Sequence, residues 1–305
     1  MKKYESILIL LAYLSIIIIW STTPLAIKWS SEDIGFVAGI FMRMLIGTVL
    51  AVVLTLLWYR KIPLHKQALH VYIASSLGIY AAMMSVYWGA QYIPSGLISV
   101  IYGLSPLFTS LLASYILISE RLTWRKILGV ILGFCGLIII FIDQINMQSF
   151  AIWGVLAVLA SVILHVTSAI WIKKLNTDLP ALVITSGGLA MSLPLFILTF
   201  IAFAQPLPIT LPEKTLFSIV YLGVIGSVVG FVSYYYVLAK LSTSTVALVT
   251  LITPITALLL GKSYNHETIS PFIWYGTSFV LVGLLIHQWG GLINLKTAVK
   301  SITNS

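Results

Sequence analysis

Arg43, His165 and several hydroxyl-bearing or aromatic residues at helical spacing are the side chains of this sequence best suited to do chemistry. Arg43 lies inside a long apolar run, about 12 Å from its nearer end at roughly 1.5 Å per residue. No Asp or Glu shares that stretch. Two readings fit: a side chain that snorkels or pairs with backbone carbonyls, and one that meets an anionic group of a small-molecule substrate. His165 forms a short polar stripe with Ser161 and Ser168 and is either functional or a structural hydrogen-bonding group. Ser95, Ser99, Tyr102, Pro106, Thr109 and Ala113 recur at spacings of three and four, so they share a helix face. Thr243, Ala247, Thr250, Pro254, Ala257 and Gly261 do the same later in the chain. Such stripes either let helices approach closely or line a cavity, and the paired mid-run prolines favour lining. Each proline frees the carbonyl four residues back, at Tyr102 and Thr250. Tyr80 and Tyr87 share a face with Met84 and Gln91, and Tyr235 is preferred over Tyr234 and Tyr236 because it aligns with Tyr87.

These residues need a scaffold, and composition identifies its solvent. Of 305 residues, 60% are hydrophobic and 8% charged, far below the roughly one quarter charged residues of soluble proteins. Lipid must surround most of the chain. Although the net charge is +9, the basic residues stand singly or in pairs between apolar runs, which argues against nucleic acid as a partner. The single cysteine, Cys135, excludes an internal disulfide. Lys2 and Lys3 ahead of an apolar run resemble a signal peptide, but the run is long and lacks a small-x-small cleavage site, so a retained first helix is expected.

Apolar runs predict ten membrane helices at about 6–28, 35–58, 68–91, 94–118, 123–142, 150–173, 180–204, 214–239, 243–262 and 271–290. The chain also repeats itself. Setting Pro106 on Pro254 puts Tyr87 on Tyr235 and Ser105 on Thr253, and a one-residue gap then aligns Glu120 with Glu267, Thr123 with Ser270, Gly129 with Gly276 and Gly136 with Gly283. Five helices per copy is an odd number, so the second copy enters the membrane from the opposite face, as in secondary transporters. With the N-terminus inside, thirteen Lys and Arg fall on the inner side against Lys28, Lys214 and Lys262 outside, a strong positive-inside bias. Gly129, Gly133 and Gly136 in the fifth run point to packing on the tenth rather than to dimerisation, so a monomer is expected.

The stretch from Trp20 to Lys28, Arg43 early in the second run, the Pro106 to Arg121 segment and the glycine-bearing fifth run resemble the EamA family of the drug/metabolite transporter superfamily. The resemblance implies an all-α integral membrane protein of ten helices in two inverted repeats, 1–145 and 146–290, with a cytoplasmic basic tail at 291–305. It implies a carrier of small organic metabolites such as amino acids, related amphipathic or anionic solutes, or drugs, working by alternating access around a central cavity in the plasma (inner) membrane. Both termini would be cytoplasmic. The expected substrate-binding residues are Trp20, Thr23, Arg43, Tyr80, Tyr87, Ser99, Tyr102, His165, Tyr235 and Thr250, with Pro106 and Pro254 as gating hinges. No cofactor, metal or catalytic residue is expected. Gly261-Lys262-Ser263 lacks the earlier glycine of a phosphate loop, and His266-Glu267 lacks a second histidine at metalloprotease spacing. The rival classes are a membrane-embedded enzyme and a non-transporting sensor. The chain shows neither the acidic or histidine cluster of the first nor a soluble domain for the second.

Overall fold

The computed structural model describes residues 2–116, 123–147, 150–204, 206–208, 210–241, 246 and 248–288. Among them no strand occurs. The helices are α1 (Lys2–Ser31), α2 (Gly35–Tyr59), α3 (Lys66–Gly89), α4 (Ser95–Ile116), α5 (Trp124–Met147), α6 (Ala151–Leu175), α7 (Ala181–Phe203), α8 (Glu213–Lys240), α9 (Thr253–Asn265) and α10 (Pro271–His287). The first eight are long and apolar enough to cross a membrane. α10 is equally apolar over 17 residues. The expected ninth span, 243–262, differs: a 3₁₀ turn at Leu248–Leu251 precedes a 13-residue α9, and Thr243 and Ala247 lie outside the described residues. Glu120 and Arg121 lie outside them too.

Helix starts follow the sequence chemistry. Pro94, Pro180 and Pro212 each stand one residue before a helix, in extended geometry that a proline permits and a continuing helix does not. Ser270 caps α10, its Oγ accepting from Ile273 N at 3.3 Å. The same hydroxyl donates to Asp143 Oδ2 at 2.6 Å, tying the start of α10 to α5, which runs four residues beyond Asp143. Leu57, Trp58, Leu198, Ile201 and Phe217 point outward and are largely exposed, a surface that suits lipid and not water.

Two glycine contacts set the close packing of α5 on α10. A Cβ at Gly129 would lie 2.5 Å from Gly283 O, and one at Gly136 would lie 2.5 Å from Gly276 O. Only glycine permits α5 and α10 to approach this closely. Elsewhere α2 packs on α7 and α8, α3 on α6 and α7, α1 on α8 and α9, and α4 on α9.

Three of the helices are irregular. α3 loosens into a π-helix over Leu77–Ala81 and α8 over Leu222–Val229. α4 breaks at Gly103 and Leu104, between Ser95–Tyr102 and Ser105–Ile116. Pro106 is the second residue of the downstream half, and Pro254 stands at the same place in α9. A proline there is harmless to the helix it opens and stops the preceding one from continuing. The Tyr102 carbonyl that Pro106 cannot serve accepts instead from Ser105 Oγ at 2.5 Å. π-bulges and broken helices in membrane proteins concentrate at functional sites.

Candidate functional site

The π stretch of α8, the break in α4 and the turn before α9 border a central cavity. α1 contributes Trp20, Thr23, Pro24 and Ile27; α2, Arg43; α3, Met83 and Val86; α4, Ile98, Ser99 and Tyr102; α6, His165; α8, Gly226 and Phe231. Thr250 and Thr253 complete it around the break before α9. A second chamber adjoins the first and shares Trp20, Tyr102, His165 and Thr250 with it, adding Ser105, Thr109, Tyr234, Leu238 and Val246. The four shared residues form the partition between the chambers.

Arg43 is 2% exposed and does not snorkel. It lies on the inward face of α2, in register with Ile40, Gly47 and Ala51, and turns toward α3 and α8. Its Nε donates to Ser227 Oγ at 3.0 Å and its Nη1 to Tyr87 OH at 3.4 Å, with the guanidinium 5.8 Å from the Tyr87 ring centre. Both partners are neutral hydroxyls, so neither cancels the charge. A guanidinium has five N–H donors, and these two bonds leave capacity directed at the cavity it lines.

His165 sits in the partition among Trp20, Tyr102 and Tyr234, with ring centres 6.0, 6.2 and 5.2 Å away. Both of its ring nitrogens are buried and without a hydrogen-bond partner. Tyr102 bonds Ser161 at 2.6 Å, and Ser161 in turn donates to Ala82 O at 2.6 Å, which fixes α4 and α3 against α6.

Of the ten expected binding residues, the cavity brings together Trp20, Thr23, Arg43, Ser99, Tyr102, His165 and Thr250. Tyr87 is fully buried behind Arg43, orienting it, and lines a neighbouring cleft. Tyr80 and Tyr235 are not brought to the cavity. Tyr80 OH bonds Thr199 at 2.6 Å between α3 and α7, and Tyr235 OH bonds Ser75 at 2.7 Å between α8 and α3. Their hydroxyls are spent on joining helices. Its neighbour Tyr234 lines the second chamber instead. The repeat alignment selects Tyr235; a π stretch at Leu222–Val229, ahead of both tyrosines, turns the helix face away from a uniform 3.6-residue period. Ser227, the partner of Arg43, carried no sequence signal beyond being a hydroxyl in an apolar run.

Comparison with known proteins places this architecture. The family model described as the EamA-like transporter family matches residues 6–142 and again 152–287. Over 286 residues the chain is 26% identical to a probable terminal-alkyne amino-acid exporter of Streptantibioticus cattleyicolor, covering 92% of this chain and 91% of that one. It is 24% identical to an uncharacterised transporter of Bacillus subtilis, covering 92% and 97%. A probable amino-acid metabolite efflux pump of Escherichia coli is 25% identical over 215 residues, 68% of this chain and 71% of that one. A protein of known crystal structure shares the fold, with a TM-score of 0.66 at 17% identity over 91% of this chain and 96% of that one. An integral membrane protein built of apolar helices, the chain belongs to the EamA-like transporter family of drug/metabolite transporters.

Proposed function

We propose that this protein is a secondary transporter of small organic metabolites carrying an anionic group, amino-acid metabolites foremost, working by alternating access through the central cavity. The observation that carries the reading is Arg43: a buried cation held by two neutral hydroxyls on the wall of an otherwise mainly apolar cavity. Burying an arginine without a counter-ion is costly, and an incoming carboxylate or phosphate would supply one. The amino-acid substrates named for two of the relatives fit the same chemistry.

The proposed architecture is ten membrane spans in two inverted repeats, 1–145 and 146–290, followed by a cytoplasmic tail at 291–305. Several features support it. The π stretch of α3, moved by the offset that sets Tyr87 on Tyr235, falls within the π stretch of α8. The break before Pro106 has a counterpart before Pro254. The packing also maps onto itself when the halves are exchanged: α3 meets α6 and α7 as α8 meets α1 and α2. In this layout the protein sits as a monomer in the plasma membrane with both termini in the cytoplasm.

Counterflow of amino acids and their deaminated analogues into proteoliposomes tests transport itself; no exchange of any anionic metabolite overturns the reading. The topology has its own test. An impermeant thiol reagent applied to intact cells is expected to label Ser263→Cys and to spare Thr123→Cys, since the two loops lie on opposite faces. Equal labelling removes the inversion.

The two breaks are proposed as hinges. Replacing Pro254 by Ala restores one backbone donor and removes the ring, a bias of about 1 kcal/mol, or roughly fivefold, between access states. Pro254→Ala and Pro106→Ala are each expected to change counterflow rate by about that factor with little change in ligand affinity. Normal rates in both variants leave the prolines as packing elements.

A further inference from the structure

The central cavity is closed toward the Lys28 end of α1 by side chains that no binding role accounts for. Glu267, in the turn between α9 and α10, has its side chain only 7% exposed. Its Oε2 accepts from Ser95 N and from Ser95 Oγ, both at 2.9 Å, at the first residue of α4. Its Oε1 accepts from Asn265 Nδ2 at 2.9 Å and lies 3.9 Å from Lys28 Nζ. Asn265 Oδ1 in turn accepts from Trp29 Nε1 at 2.9 Å. One carboxylate therefore ties the end of α1, the start of α4 and the end of α9. The backbones follow: a Cβ at Gly96 would lie 2.5 Å from Leu258 Cα, so α4 and α9 are in direct contact just inside the network.

Position gives this network its meaning. On one side of it, Ile27, Ile98, Ser99 and Thr253 line the central cavity. On the other, two surface clefts are lined by Lys28, Gln91, Asn265, His266 and Glu267. At the opposite end the cavity continues past the His165 partition into the second chamber. The network is thus the barrier between cavity and cleft.

We infer that Glu267 is the latch of the gate on the Lys28 side, holding α1, α4 and α9 together in this state and releasing Ser95 and Lys28 when the cavity opens there. The carboxylate suits this. It satisfies the free backbone N–H of Ser95 at the start of α4, where the helix dipole favours negative charge, and faces a cation on α1 at the same time. All its partners sit at helix ends, so separating them breaks a few polar contacts that water in the cleft can replace. The inference extends the alternating-access reading but is tested without substrate, so failure of counterflow and failure of the latch are separate results.

The test places a single cysteine at Thr23→Cys, on the cavity wall, in a Cys135→Ala background, and measures its labelling by an impermeant maleimide. The reagent is applied to the membrane face that labels Ser263→Cys. Adding Glu267→Gln is expected to raise the Thr23→Cys labelling rate about tenfold, which corresponds to about 1.4 kcal/mol in the opening equilibrium. Lys28→Gln is expected to raise it by a smaller factor and serves where Glu267→Gln does not yield folded protein. Glu267→Asp is expected to fall between Gln and the native residue. A purely structural cap gives lower thermal stability with an unchanged labelling rate, and that result, or a slower rate, overturns the inference.

Discussion

Arg43→Lys is expected to weaken binding of a carboxylate-bearing ligand by roughly 1.5–3 kcal/mol, about ten- to a hundredfold in affinity, while the protein still folds. The geometry explains why conserving charge does not conserve function. The planar fork of Arg43 spends Nε on Ser227 and Nη1 on Tyr87, which holds the guanidinium against the cavity wall with N–H groups left for a ligand. An ammonium is a point charge on a flexible stem and cannot hold both hydroxyls and present two parallel donors to a carboxylate. Arg43→Gln loses the charge as well and is expected to bind no better than the lysine variant. A purely structural arginine predicts the reverse pattern: lower melting temperature in both variants, with ligand affinity unchanged in the protein that folds. Measuring the two quantities side by side on both variants, with a carboxylate ligand found by counterflow, separates these outcomes. Unchanged affinity removes Arg43 from the binding site.

Much of the scaffold was legible in the sequence because lipid imposes simple rules. Apolar runs must be helical to satisfy their backbone, so length alone locates most of the spans, and prolines at 94, 180 and 212 mark the helix starts. The glycines at 129, 136, 276 and 283 announce a close helix pair, and α5 and α10 pack through them. What the sequence did not convey is rotation and state. A helix face drawn at 3.6 residues per turn does not hold across a π stretch, and the repeat alignment that favours Tyr235 does not show that Tyr234 faces the second chamber. Nor does a sequence show which hydroxyls are already committed to a neighbour, as those of Tyr80 and Tyr235 are. In the sequence Glu267 is a repeat marker aligned with Glu120 and, beside His266, half of a failed metal motif. Its partners at Lys28 and Ser95 are more than 170 residues away in the chain and come together only through the packing of α1 and α4 on α9.

His165 offers a test in which stability and function should move in opposite directions. Its imidazole is packed among the rings of Trp20, Tyr102 and Tyr234, yet neither nitrogen has a hydrogen-bond partner. A buried polar group left without a partner costs about 1–3 kcal/mol. Phenylalanine keeps the ring contacts and carries no such cost. His165→Phe is therefore expected to raise the melting temperature of ligand-free protein by a few degrees, the shift that about 1–2 kcal/mol produces in a chain of this size. The same variant is expected to bind ligand less tightly, because a polar group presented at the partition between the two chambers then has nothing to meet. Destabilised polar positions kept at a site in this way are a common trade of stability for function. His165→Leu guards against a volume effect, since its side chain is apolar like phenylalanine's but closer in volume to the imidazole. If both variants melt lower than the native protein and ligand affinity is unchanged, the imidazole serves packing alone.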